Sequence, residues 1–235
     1  MSYLVLVRHG ESRWNLGNKF TGWVDVPLSE NGVHEAIRSA RDLKQIDFDV
    51  AFTSKLERAK STLLIILSQQ NRTGIFLHDE DKKRKYYQWT KHSNKHNGKE
   101  IPIHTSELLN ERYYGALQGM DKDEAEKKYG KEKLFHWRRS YTGRPPKGET
   151  LKETFERMFP YYRREIDSLL KKNKNVLLAG HGNTLRAIMK YLEKIDDHDI
   201  PFLELPEGKP IIYESKRGKC VCLNPHEYSF ERPLR

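Results

Sequence analysis

The chain has 235 residues, which is enough for one domain with a substantial hydrophobic core. Its 36% hydrophobic and 11% aromatic residues exclude a wholly disordered chain, and no apolar run approaches the roughly 20 residues that span a bilayer. The formal net charge of +10 favours an anionic partner, which is a nucleic acid, a lipid surface or a small phosphorylated metabolite. Charge alone does not choose among these three partners.

The amino terminus and the cysteines indicate a protein of the cytoplasm. Residues 1–7 lack the basic start and the long apolar stretch of a secretory signal. The two cysteines, Cys220 and Cys222, lie too close together in sequence to link distant parts of the fold, and they fit a reducing compartment. We therefore expect a cytoplasmic protein without a membrane partner.

The first half of the chain alternates buried strands with amphipathic helices. The apolar run at residues 3–7 predicts a strand that is buried on both faces. Ser29 is a suitable N-cap for a helix whose apolar residues then recur at helical spacing. Residues 50–52 predict a second buried strand, and a second helix, with Ser54 available as its cap, follows directly.

The same alternation continues in the second half. A long amphipathic pattern covers residues 151–170, and Pro160 predicts a kink or a break within it. A buried strand is predicted at residues 176–179 and a helix at residues 185–192. Shorter strands are predicted at residues 211–213 and 220–223. The alternation predicts an α/β fold, a three-layer sandwich with a mostly parallel central sheet flanked by helices.

One segment, residues 78–105, interrupts this alternation. It is polar and rich in lysine, and it has no clear hydrophobic period, so we expect a basic loop inserted in a single domain of residues 1–235. His92 and His96 stand four residues apart, a spacing that would suit a metal ion on a helix. The segment lacks a helical pattern and has no cysteine, and we therefore predict that the protein has no metal site.

Two histidines follow directly after predicted strands. Arg8-His9-Gly10-Glu11 comes after the first strand, and Gly180-His181-Gly182-Asn183 comes after the strand at residues 176–179. Ligands of an open α/β sheet bind outside the carboxyl ends of its strands, and glycines let backbone amides approach an anion closely. Either histidine alone is more simply an ordinary strand-end residue. The shared pattern favours one common site.

Two arginines are expected at the same edge. Arg58 falls near the first turn of the helix that follows the strand at residues 50–52, and Arg8 directly precedes His9. A guanidinium binds phosphate through two parallel hydrogen bonds, and the positive end of a helix dipole adds to the attraction. Two arginines and two histidines at three strand ends therefore predict a phosphate-binding pocket.

These motifs resemble the two signatures of the histidine phosphatase superfamily. Within it, the chain is most similar to the cofactor-dependent phosphoglycerate mutases. The matching stretches are residues 4–12, 14–15, 20–25 (FTGWVD), 28–30, 52–54, 111–119 (ERYYGALQG), 137–139 and 179–187 (AGHGNTLRA). The resemblance implies that family's fold and the interconversion of 3-phosphoglycerate and 2-phosphoglycerate. It also implies 2,3-bisphosphoglycerate as the phosphoryl primer and no metal.

The resemblance further implies a role for each matched position. His9 would carry the phosphoryl group, and Glu111 would be the general acid and base for the substrate hydroxyl. The groups that hold the phosphoryl group would be Arg8, Arg58 and His181, with Asn15 nearby. The positions that contact the substrate carboxylate and phosphate would be Thr21, Gly22, Arg112, Tyr114, Lys122, Arg138, Arg139, Gly182 and Asn183.

The sequence leaves alternatives to the mutase open. One is a paralogue with mainly bisphosphoglycerate mutase or phosphatase activity, because sequence does not fix how the phosphoryl group on His9 partitions between sugar acid and water. Another is a weakly active paralogue that uses the basic segment for binding. We expect a small phosphorylated acid as the partner and no nucleic acid. Monomer and homo-oligomer both stay open.

Overall fold

The computed structural model describes residues 1–77, 100–216 and 219–231. The strands in these ranges are β1 (Ser2–Arg8), β2 (Val50–Thr53), β3 (Thr73–Phe76), β4 (Glu100–Thr105), β5 (Val176–Gly180), β6 (Leu203–Glu204), β7 (Pro210–Lys216), β8 (Lys219–Cys222) and β9 (Ser229–Phe230). The α-helices are α1 (Arg13–Leu16), α2 (Glu30–Asp42), α3 (Glu57–Leu67), α4 (Lys122–Tyr129), α5 (Lys131–Arg139), α6 (Leu151–Tyr161), α7 (Ser168–Lys171) and α8 (Gly182–Glu193).

Seven strands form a central sheet in the order β3-β4-β2-β5-β1-β7-β8. The five strands from β3 to β1 pair in parallel, and β7 and β8 add two antiparallel strands at one side. The parallel register is continuous across the middle, where Leu6 and Phe52 both pair with Leu178. The carboxyl ends of β2, β5 and β1 therefore lie side by side at one edge.

Helices cover both faces of the sheet. Along β1 the side chains alternate between two hydrophobic clusters: Leu4 and Leu6 face the cluster that contains α6 and α8, while Val5 and Val7 face the cluster that contains α2 and α3. A strand buried on both faces explains the unbroken apolar run in the sequence. The predicted three-layer α/β sandwich with a mostly parallel sheet is confirmed.

The prediction of a loop is wrong for residues 100–105. They form β4, which lies inside the sheet between β3 and β2 and buries Ile101 and Ile103 completely. The alternation of these two isoleucines is short, and it is masked by Pro102, a residue that central strands rarely accommodate. The rest of the predicted basic loop, residues 78–99 with His92 and His96, lies outside the described residues.

The interruption expected at Pro160 takes the form of a widened turn. The helix α6 continues through Pro160 to Tyr161, a π-helical turn follows over Tyr162–Asp167, and α7 completes the segment. A proline lacks the amide hydrogen and its ring crowds the preceding turn. The widened turn begins two residues after Pro160. Tyr162 and Ile166 are still buried in the core.

Two polar helices, α4 and α5, were not predicted. Within them only Ala125 and Leu134 are buried, so the sequence carries almost no hydrophobic period. Both helices lie against the pocket described below, and α5 carries Arg138 and Arg139. Within the described parts of the chain, no helix is long and apolar enough to cross a membrane.

Candidate active site

His9 and His181 meet at the carboxyl edge of the sheet, as the sequence predicts. The amide of His9 donates to the carbonyl of Gly180 at 2.9 Å, which ties the end of β1 to the end of β5. Their ring centroids lie 5.1 Å apart, and both side chains are buried.

The hydrogen bonds of His9 define its protonation. Its Nδ1 lies 2.7 Å from the carbonyl oxygen of Gly10, and Nε2 accepts a hydrogen bond of 3.2 Å from Nε of Arg58. Because a carbonyl oxygen only accepts, Nδ1 carries the hydrogen and Nε2 presents its lone pair. Burial, reinforced by the nearby charges of Arg58 and Arg8, holds the pKa of His9 well below its ordinary value. The ring is therefore neutral at physiological pH.

Arg58 is held in place by backbone carbonyls. It is the second residue of α3, as expected, and it is almost fully buried. Its Nη2 donates to the carbonyl of Gly22 at 2.8 Å and its Nη1 to the carbonyl of Val24 at 3.1 Å. Gly22 has φ 57°, a left-handed conformation that glycine adopts without strain. Burial lowers the pKa of Arg58 to about 10, which leaves it charged at neutral pH.

His181 is supported by Ser54. Its Nε2 lies 2.7 Å from Oγ of Ser54, and the same Oγ accepts from the amide of Leu56 at 3.1 Å. Ser54 thus precedes α3 without capping it, because the N-cap position belongs to Leu56. The pKa of His181 is lowered well below its ordinary value by burial, and next by the charge of Arg58.

Glu111 lies at the amino end of α8. Its Oε1 accepts from the amide of Asn183 at 3.2 Å and from the amide of Arg112 at 2.7 Å. The side-chain amide of Asn183 in turn donates to the hydroxyl of Tyr114 at 3.1 Å. The positive end of the helix dipole stabilises a carboxylate at this place. Glu111 is largely buried, and it lines the same pocket as His9.

One pocket collects nearly all the predicted site residues. Those that line it are Arg8, His9, Asn15, Thr21, Gly22, Arg58, Glu111, Tyr114, Lys122, Arg138, Arg139, Gly182 and Asn183. Sequence reasoning missed further lining residues, namely Lys19, Phe20, Arg186, Leu203, Glu204 and Leu205. His181 lies directly behind His9.

The structure does not bring Arg112 to the pocket surface. Its side chain is fully buried behind the wall, with Nη1 donating to the carbonyl of Trp137 at 2.9 Å and Nη2 to the carbonyl of Arg138 at 2.7 Å. The guanidinium also stacks on the ring of Tyr114, with 4.7 Å to the ring centroid. These contacts allow Arg112 to orient the groups that form the wall; its contact with substrate stays a prediction.

Arg186 is the most buried of the missed cations. It lies on α8, where its Nη1 donates to Oδ1 of Asn183 at 3.2 Å and its Nη2 donates to the carbonyl of Ile200. Burial lowers the pKa of Arg186 to about 9. The position of Arg186 inside the otherwise apolar stretch of residues 185–189 is the sequence signal that could have identified it.

Two glutamates in residues 203–208 pair with pocket arginines. Arg8 donates from Nη2 to Oε1 of Glu207 at 2.6 Å and from Nη1 to the carbonyl of Leu205 at 2.7 Å. Glu204 forms an ion pair with Arg139. Burial raises the pKa of Glu207, and the charge of Arg8 opposes that rise. Glu207 lies outside any helix or strand and Glu204 ends the two-residue strand β6, so neither gives a sequence signal of its contact.

The charge of the pocket fits a multiply charged anion. Seven of its lining side chains are lysine or arginine, and only Glu111 and Glu204 are carboxylates. Guanidinium groups bind phosphate and carboxylate oxygens with matched geometry. Among the described residues, no three or more His, Cys, Asp or Glu side chains are grouped so that they could hold a metal ion.

Comparison with known proteins identifies relatives of the chain. The model of the histidine phosphatase superfamily (branch 1) matches residues 4–97 and 87–226. A 2,3-bisphosphoglycerate-dependent phosphoglycerate mutase of Methanosarcina acetivorans is 45% identical, covering 94% of each chain. A protein of the same name from Methanococcus vannielii is 46% identical, covering 91% of this chain and 90% of the relative.

Solved structures share the fold. YhfR of Bacillus stearothermophilus superposes with a TM-score of 0.71 at 23% identity, covering 95% of this chain and 96% of the other. A mycobacterial glucosyl-3-phosphoglycerate phosphatase superposes with a TM-score of 0.72 at 20% identity, covering 94% and 97%. With its sheet, its paired histidines and these relatives, the chain belongs to the histidine phosphatase superfamily and, within it, to the family of 2,3-bisphosphoglycerate-dependent phosphoglycerate mutases.

Proposed function

We propose that the protein interconverts 3-phosphoglycerate and 2-phosphoglycerate through a phosphoryl group carried on Nε2 of His9. Relatives that carry the mutase name are 40–46% identical over most of the chain. The observation that carries the proposal is the state of His9: it is neutral, its Nδ1 hydrogen is bonded to Gly10, and its Nε2 lone pair lies beside a fixed arginine. A histidine attacks phosphorus only in this state.

The donors around His9 fit the transferred group. Arg58 and Arg8 flank the ring, and their charge stabilises the phosphoryl oxygens during transfer. The Nδ1 of His181 is buried and has no hydrogen-bond partner among the described residues. If Ser54 donates its hydroxyl hydrogen to Nε2, this Nδ1 carries a hydrogen and donates to the same oxygens.

The other cations of the pocket fit the rest of the substrate. Lys122, Arg138 and Arg139 supply the positive charge for a second phosphate or a carboxylate. When bound, 2,3-bisphosphoglycerate supplies the phosphoryl group that primes His9. We expect arginine and lysine to do the charge stabilisation here, so that activity survives treatment with a chelator.

Glu111 is the group that moves the proton. In the first step, phosphorylated His9 transfers its phosphoryl group to the 2-hydroxyl of 3-phosphoglycerate. The new oxygen–phosphorus bond forms as the nitrogen–phosphorus bond breaks, and Glu111 accepts the hydroxyl proton. When His9 takes back the 3-phosphoryl group, Glu111 returns the proton to the departing oxygen and 2-phosphoglycerate results. We expect the enzyme to serve glycolysis and gluconeogenesis in the cytoplasm.

The test is the conversion of 3-phosphoglycerate to 2-phosphoglycerate by purified protein, with and without a trace of 2,3-bisphosphoglycerate. His9→Ala is compared with His34→Ala, which removes an exposed histidine on α2. We expect stimulation by the bisphosphate, loss of activity in His9→Ala, and full activity in His34→Ala.

Failure to isomerise would contradict the proposal, and the products formed would then identify the activity. If folded wild-type protein primed with the bisphosphate does not isomerise, the mutase assignment fails. Phosphate release under those conditions would identify a phosphatase instead, and net formation of 2,3-bisphosphoglycerate would identify a bisphosphoglycerate mutase.

A further inference from the structure

The turn that leads to Glu111 rests on one guanidinium, that of Arg157 on α6. Its Nη1 donates to the carbonyls of Glu107 and Leu108 at 3.1 and 2.8 Å. Its Nη2 donates to the carbonyls of Asn110 and Glu111 at 3.2 and 3.3 Å. These four carbonyls all belong to residues 107–111, so the contacts fix the path of the backbone up to the proposed acid and base.

The carboxylate of Glu149 also binds the guanidinium of Arg157. Its Oε1 accepts from Nε of Arg157 at 3.0 Å, and its Oε2 accepts from Nη2 at 3.1 Å, which makes the pair bidentate. The same Oε2 accepts from the amide of Tyr113 at 3.0 Å, and the amide of Glu149 donates to the carbonyl of Tyr113 at 2.7 Å. The backbone is therefore held on both sides of Glu111.

Trp23 connects this support to the phosphoryl end of the pocket. Its Nε1 donates to the carbonyl of Glu111 at 2.5 Å, and the charge of Arg157 lies 5.4 Å from its ring centroid. Trp23 follows Gly22, whose carbonyl accepts from Arg58. A continuous series of contacts through Trp23 and Gly22 thus joins Glu111 to Arg58, the arginine beside His9.

We propose that Arg157, held by Glu149, is a positioning residue for Glu111. This inference rests on the proposed function of Glu111. Arg157 does not line the pocket, so its effect on the reaction must pass through the backbone that it holds. Lysine keeps the charge but lacks the planar fork that reaches four carbonyls and two carboxylate oxygens, so Arg157→Lys releases the turn.

The choice of leaving group distinguishes a misplaced Glu111 from a general loss of stability. An alkyl oxygen, such as that of 2,3-bisphosphoglycerate, needs a proton from Glu111 as it leaves, whereas p-nitrophenolate leaves without one. A misplaced Glu111 therefore slows phosphorylation of His9 by the first donor and leaves phosphorylation by p-nitrophenyl phosphate unchanged. A damaged fold slows both.

The experiment measures His9 phosphorylation by both donors in wild-type protein, Arg157→Lys, Glu111→Gln and the double variant. Arg164→Lys, an exposed arginine two turns further along, is the matched control. We expect Arg157→Lys to react about 10²-fold more slowly with the bisphosphate, the cost of a misplacement of about 1 Å, and normally with the aryl phosphate. We expect the double variant to be no slower than Glu111→Gln alone.

Three results would overturn the inference: equal slowing with both donors, no slowing with either, or additive losses in the double variant. The proposed function fails separately, if wild-type protein consumes phosphate esters without isomerising phosphoglycerate. In that case a comparison of alkyl with aryl phosphates as substrates still decides whether Arg157 acts through Glu111.

Discussion

The substitution Gly32→Ala, which adds one methyl group to α2, should displace His9 and lower activity. Gly32 lies in the first turn of α2, where the helix meets the loop that follows β1. A β-carbon at this position would lie 2.0 Å from the carbonyl oxygen of Glu11 and 2.8 Å from its nitrogen. The contact is reciprocal, since a β-carbon on Gly10 would lie 2.2 Å from the carbonyl oxygen of Gly32. In Gly32→Ala the two backbones must separate by roughly 1 Å or more.

The size of the effect follows from these contacts. Alanine in a helix is ordinarily more stable than glycine by about 1 kcal/mol. Overpacking costs about 1–3 kcal/mol, and the upper end applies because backbone cannot turn aside as a side chain can. We expect Gly32→Ala to lower the free energy of unfolding by about 2 kcal/mol. Because Gly10 also accepts the Nδ1 hydrogen of His9, the ring should tilt, and kcat should fall about 10²-fold.

The assay pairs urea unfolding with initial rates of phosphoglycerate isomerisation. Val33→Ala, at the exposed neighbouring position, is the control, and it should change neither stability nor rate by much. If Gly32→Ala is as stable and as active as Val33→Ala, then the contact between the helix and the loop does not position His9 and the reasoning is wrong.

Three further predictions concern protons and anions. Because burial lowers the pKa of His9 and His181, the unfolded chain binds more protons between those lowered values and about 6.5. The free energy of unfolding should therefore rise with pH across that window and level off above it, and a flat profile in urea titrations would contradict this. Glu207→Gln should free Arg8 and tighten the binding of inorganic phosphate by about 1 kcal/mol in calorimetry, whereas weaker binding would show that Glu207 orients Arg8 instead. Ser54→Ala removes the partner of His181 and should lower kcat about tenfold, roughly the 1.4 kcal/mol of one lost hydrogen bond, and an unchanged kcat would refute that role.

The part of the fold that sequence predicts is the part with strong hydrophobic patterning. The strands β1 and β5 are buried on both faces, and each is a continuous apolar run. The strand β4 was missed because its pattern consists of Ile101 and Ile103 around Pro102, next to a lysine-rich stretch. The helices α4 and α5 were missed because each buries only one residue, and a single buried residue gives no hydrophobic period in the sequence.

The site divides in the same way. His9, His181 and Arg58 are predictable because each follows a recognisable strand, and the topology of a parallel sheet brings strand ends together. Glu207 and Arg157 are not predictable, because each contact joins a residue of a regular element to a segment that is distant in sequence. The contact of Arg8 with Glu207, for example, spans 199 residues. Pairing of that kind depends on the folded path of the chain between the two partners, which no local pattern encodes.

The guanidinium groups of the pocket's buried arginines are held in fixed orientations by the protein. Arg58 and Arg186 each direct guanidinium hydrogens to backbone carbonyls, so their orientation is set before any anion arrives. Fixed donors need no reorganisation at the moment of transfer, which is the main source of electrostatic catalysis. Burial does lower the pKa of Arg58 and Arg186, to about 10 and about 9, but both values keep the charge at neutral pH. Phosphoryl transfer in this pocket therefore depends more on where the charged groups are held than on how many there are. Arg157 matters for the same reason, because it holds the backbone of Glu111.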